Sequence, residues 1–170
     1  DMKLLQTSKY ELSAEIAKPI FVKKMKENEL NTDEKKYFDL LKNWDLNADI
    51  GSKGATVLYS AWEKFKKIVF ADEFAKAPEV IMSPYGSTLL EGILKDSAYK
   101  FLDNINTPQK ETLADDVTAA FKKTVIDLKK IESEGRLEWG KYKDTKVKHL
   151  TQLDALSRLH LPIGGSTNCI

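Results

Sequence analysis

The stretch that follows Thr112 constrains the fold most. Leu113, Val117, Ala120, Phe121, Thr124, Leu128 and Ile131 recur at three- and four-residue intervals, so they share one face of a helix. Lys122, Lys123, Asp127, Lys129 and Lys130 fall elsewhere around it. The helix is expected to stop near Gly135, because glycine readily takes the positive φ that ends a helix. A long helix cannot bury such a stripe alone, so the remainder of the chain must supply elements that cover it.

The upstream sequence does supply them. The spacing predicts a helix from about Ser8 to Glu27 on Leu12, Ile16 and Ile20, with Pro19 where a kink would fall. Tyr37, Leu40, Leu41 and Trp44 lie at i, i+3, i+4 and i+7 of a second helix. Asn31 or Thr32 would cap it, with Asp33 and Glu34 in the first turn, where negative charge suits the dipole. Asp45 to Gly51 reads as a polar loop, after which Ser52 caps a longer helix carrying Ala55, Leu58, Tyr59, Trp62, Phe65 and Val69. A short segment from Asp72 to Ala77 stops before Pro78, and the next stretch is punctuated by Pro78, Pro84 and Gly86. Ser87 or Thr88 then opens a short helix with Leu89, Leu90, Ile93 and Leu94.

Beyond Gly135 the periodicity is lost, apart from a turn through Leu153 to Leu159. Leu161-Pro162-Ile163-Gly164-Gly165 reads as a strand, or a turn entering one, with no following element to pair with. Its partner is therefore expected elsewhere, in a longer polypeptide. The expected fold class is mainly α, with a short irregular or extended C-terminal tail. Residues 1–170 are expected to form a single helical region and to be a fragment of a longer chain, helical over 1–135 and irregular or extended over 136–170.

Composition narrows the function classes. The chain is 42% hydrophobic and 31% charged, the profile of an ordinary globular sequence. Its net charge of +1 gives no basic surplus for a nucleic-acid partner. No apolar run approaches the ~20 residues of a membrane-spanning helix. A single cysteine, Cys169, forms no internal disulfide.

The motifs have structural readings that outweigh the chemical ones. Asp45-Leu46-Asn47-Ala48-Asp49 opens like a calcium loop, but Ile50 stands where glycine is needed and Thr56 where a bidentate Glu is needed. A helix-linking loop with capping side chains is the better reading. His149 and His160 have no partners at zinc-ligand spacing. Gly164-Gly165-Ser166-Thr167 lacks the phosphate-loop pattern and reads as a turn needing positive φ or close backbone approach. No nucleophile elbow exists, and Cys169 lies in no recognisable catalytic context. Asp115-Asp116 is explained by the helix dipole better than by acid–base work. Of Trp44, Trp62 and Trp139, two read as core-face residues.

Four blocks together add a family resemblance. Leu41-Lys42-Asn43-Trp44-Asp45, with Asp49, Ser52, Ala55-Thr56, Tyr59 and Trp62, resembles a stretch of penicillin-acylase-type enzymes. Thr107-Pro108-Gln109-Lys110-Glu111-Thr112 resembles that family's entry to a long helix. Glu138-Trp139-Gly140-Lys141-Tyr142 resembles its W-G-K block, and His149-Leu150 with Leu161 to Ser166 resembles its H-x-L and L-P-x-G-G blocks. Order and spacing carry the likeness, which covers residues from about 38 to 170. Lys143 and Gly51 depart from the usual pattern.

The resemblance implies an N-terminal-nucleophile hydrolase of αββα architecture that cleaves a linear amide bond. In that family a serine heads the large chain, and its own α-amino group serves as base. The blocks found here resemble the C-terminal part of that chain, and no residue here matches the family's catalytic motifs. Accordingly no catalytic, cofactor-binding or metal residue is assigned, and no cofactor is expected in this segment. The expected partners are the small chain and the rest of the large chain, with no nucleic acid and no membrane, and the expected location is periplasmic or extracellular. The segment itself is expected to be scaffold. A non-enzymatic helical binding module is the alternative.

Overall fold

A computed structural model of the chain describes residues 2–75, 84–167 and 169. A short helix, α1 (Met2–Gln6), leads to α2 (Leu12–Lys24), α3 (Thr32–Lys42) and α4 (Lys53–Val69). Then come α5 (Gly86–Lys95), α6 (Leu113–Ser133) and α7 (Trp139–Lys143), followed by β1 (Thr145–Val147) and β2 (Arg158–Leu161). The mainly α class with a short extended tail is what the sequence led us to expect.

α4 and α6 form the centre, with α3 and α2 packed against them. The α6 stripe is buried at Leu113, Val117, Ala120, Phe121, Thr124 and Leu128, while Ile131 at its end is half-buried. Phe38 of α3 meets Phe121 edge-to-face at 5.7 Å, and Phe21 of α2 meets Phe65 of α4 at 5.8 Å, the geometry that ring quadrupoles prefer. The first half of α4 is buried nearly all round, at Ala55, Thr56, Val57, Leu58, Ser60 and Ala61. Its small and β-branched residues let neighbouring helices approach closely.

The caps expected on α3 and α4 are present, and α6 carries one that was not expected. Asn31 accepts from Glu34 N–H while Glu34 reaches back to the Asn31 N–H, and Thr112 and Asp115 form the same reciprocal box on α6. The Ser52 hydroxyl accepts from Ala55 N–H. Gly135 follows α6 at φ +69°.

Several expectations are corrected. The helix expected from Ser8 to Glu27 is α2, which begins only at Leu12, because residues 9–11 are extended, and ends at Lys24; α1 ahead of it was not expected. Lys9 O accepts from Ala48 N–H at 2.8 Å, and Glu11 N–H donates to Leu46 O at 2.9 Å. α2 then runs through Pro19 to Lys24. α5 starts at Gly86, ahead of Ser87 and Thr88, and has no side-chain cap. Within the Asp72–Ala77 segment, residues 72–75 form turns, and its last two residues, like Pro78, lie outside the described residues. The tail is not helix-free, since α7 lies inside it; five residues are too few to show a period.

The extended element of the tail lies earlier than expected. β2 pairs antiparallel with β1, a strand too short for sequence patterning to reveal. The Leu161–Gly165 segment past β2 is not a strand; its Gly165 N–H donates to Ala48 O at 2.7 Å.

Candidate functional site

The extended run at residues 9–11 carries Glu11 into the protein, where it is fully buried. A buried carboxylate must find donors or shed its charge. Tyr59 of α4 donates to Glu11 Oε2, and Ser166 Oγ donates to Oε1. The Cys169 thiol donates to the same Oε1 at 2.8 Å, and Tyr59 Oη lies 2.8 Å from Ser166 Oγ. Cys169 also pairs with Glu11 in an isolated antiparallel bridge. Burial pushes the Cys169 thiol pKa up, and its bond to Glu11 adds to the shift.

α7 closes the other side of the tail. Trp139 is buried, stacks on Tyr59 at 4.6 Å between centroids, and donates its indole N–H to Gly165 O at 3.0 Å. Lys143 Nζ donates to Gly164 O at 2.9 Å and Gly165 O at 2.7 Å. Burial lowers the Lys143 pKa, against the attraction of Cys169 and Glu11. α7 is itself tied to the loop before α4, through Trp139 N–H to Ser52 O at 3.1 Å and Gly140 N–H to Ile50 O at 2.9 Å.

The glycines fit as the sequence suggested. Gly165 has φ +73°. A Cβ on Gly164 would lie 2.8 Å from Ala48 O, so only glycine lets the tail seat against the loop. That loop is built by its own side chains. Asp45 Oδ1 accepts from Asn47 N–H at 3.0 Å, and Trp44 Nε1 donates to Asn47 O at 2.9 Å. Asp49 pairs with Lys9 at 2.7 Å. Asp45 and Asp49 thus act as loop and clasp residues.

The knot joins three of the four sequence blocks: Trp44 to Tyr59, Trp139-Gly140 and Gly164 to Ser166. The Thr107–Thr112 block lies apart and supports the start of α6, with Thr107 Oγ1 donating to Glu111 at 2.8 Å. His149 and Leu150 also lie outside the knot and are exposed. His160 pairs with Asp144 at 2.6 Å and is exposed too. Trp44 and Trp139 are buried, while Trp62 is half-buried beside an apolar groove of about 440 Å³ lined by Ala17, Leu58, Tyr85 and Leu90.

Glu11 was missed by sequence reasoning. Its only signal is an acid just before an apolar helix, which reads as a dipole partner. Asp115 lies in the first turn of α6, as the dipole reading expects, and also closes the capping box with Thr112, but Asp116 is not a surface dipole partner: it is 5% exposed.

The polar groups of the knot are engaged with one another and with backbone. The Glu11 carboxylate is enclosed and receives three donors, and Lys143 is engaged by two carbonyls. Fold and site together define a mainly α unit whose glycine-bearing tail is clasped to its N-terminal part. The chain belongs to the penicillin amidase family, whose profile matches residues 1–170. That is a family of hydrolases, and the sequence is penicillin-acylase-like. No curated protein and no solved structure matches it.

Proposed function

We propose that the chain is a structural segment of a penicillin-acylase-like enzyme that cleaves a linear amide bond. The observation that supports this reading is the Glu11 knot: three of the four family blocks meet there, and the polar groups in it hold backbone or tail. A serine-headed large chain would carry the chemistry, its α-amino group taking the nucleophile's proton. Residues 1–170 would pack against the catalytic αββα core as one scaffold region, partnered by the small chain and the rest of the large chain. Export to the periplasm or beyond, and an acyl substrate such as an antibiotic side chain, follow from the family likeness alone. No helix among the described residues is long and apolar enough to cross a membrane.

The test compares the full-length gene product with residues 1–170 expressed alone, on a chromogenic phenylacetyl amide. Hydrolysis is expected from the first and none from the second. N-terminal sequencing of the active protein is expected to find a chain headed by serine. Turnover by the isolated 170 residues would overturn the scaffold reading.

A further inference from the structure

The start of α6 contains a group that the knot does not use. Asp116 is 5% exposed, and its Oδ2 has no hydrogen-bond partner. Such a group is costly to bury and calls for an explanation.

Its surroundings are acidic. Asp72, on the 71–75 turn, accepts from Ile105 N–H at 2.8 Å. Glu73 beside it has its carboxyl pKa pushed up by burial and by a hydrogen bond with Asp72, with Lys100 opposing. From the loop before α6, Glu111 accepts from Asn104 N–H at 3.1 Å. That loop also carries Asp103 and the exposed Lys110. On α6 itself Asp115 is taken by Lys26 at 2.5 Å. Four cations on the helices at and around α6 are engaged elsewhere: Lys36 with Glu132, Lys64 with Asp127, Lys122 with Glu29 and Lys129 with Asp33. Among the described residues, no three His, Cys, Asp or Glu side chains are grouped to hold a metal ion. Protonation removes the charge that would otherwise be buried beside these carboxylates.

We propose that the joint between the 71–75 turn, the 103–112 loop and the start of α6 is a pH-sensitive latch, closed while Asp116 is protonated and loosened when it ionises. Ionisation would place a fourth carboxylate, buried and without a partner, beside Asp72, Glu111 and Asp115. Burial chiefly, then Glu111, Asp115 and Asp72, raise the Asp116 pKa to about 7 from 3.8. The folded joint therefore binds the proton more tightly than the opened one. The stability this confers is full below about pH 4 and is lost as pH rises towards 7.

Hydrogen exchange on the full-length gene product tests this, with protection corrected for the intrinsic pH dependence of exchange. Protection of the Asn104, Ile105 and Asp116 amides is expected to fall by up to roughly tenfold per pH unit between about 5 and 7. Asp116→Asn is expected to flatten that slope, whereas Asp127→Asn, farther along α6, leaves it unchanged. A wild-type joint whose protection is flat over this range would overturn the proposal. So would an Asp116→Asn protein that keeps the slope. Neither outcome depends on amidase activity.

Discussion

Glu11 carries more of this structure than any residue beside it in the sequence. It joins α2 to α4, through Tyr59, and to the tail, through Ser166 and Cys169. Replacing it by Ala removes the acceptor from three donors and leaves the half-buried Lys143 without its nearby negative charge. Urea denaturation is expected to show a loss of about 3 kcal/mol or more for Glu11→Ala, since three donors lose their acceptor at about 1–3 kcal/mol each. Glu11→Gln keeps the shape but turns a donor toward donors, and about 1–3 kcal/mol is expected. If Gln and Ala cost the same, packing rather than hydrogen bonding would be the cause. Asp116 works in the opposite sense, as a buried acid that stabilises only while neutral.

Caps and stripes govern the elements. Asn31 and Thr112 each satisfy a backbone donor that α3 or α6 would otherwise leave open. Asn31→Ala and Thr112→Ala are each expected to lower the melting temperature, at about 1 kcal/mol apiece, and the two effects are expected to add. These elements were legible because their determinants are local: a capping box spans four residues and an apolar stripe repeats within one helix. α7 and β1 were not legible, since five and three residues are too short to show a period. Their conformations are set by distant partners, Ser52 and Ile50 for α7 and Arg158 to Leu161 for β1. Phe38 escapes the pattern because it sits one position off the Tyr37–Leu41 stripe, yet it is buried against Phe121.

At the scale of the whole molecule, the helical centre and the clasped tail differ in how far apart their partners lie. α3 meets α4 across a short loop, and most of the α6 stripe is covered by segments that precede it. The Gly-Gly-Ser turn was read in part from sequence, because glycine announces its backbone demands. The acid it docks against was hidden 155 positions away. That separation has a consequence for how the protein is made. During synthesis α2 emerges early with its Glu11 carboxylate exposed, while Ser166 and Cys169 are still to be joined. At roughly 5–20 residues per second the interval is on the order of ten seconds, long compared with helix formation. The nascent chain therefore passes through a state in which the helices can assemble while Glu11 stays in water, and translation itself times the closing of the clasp.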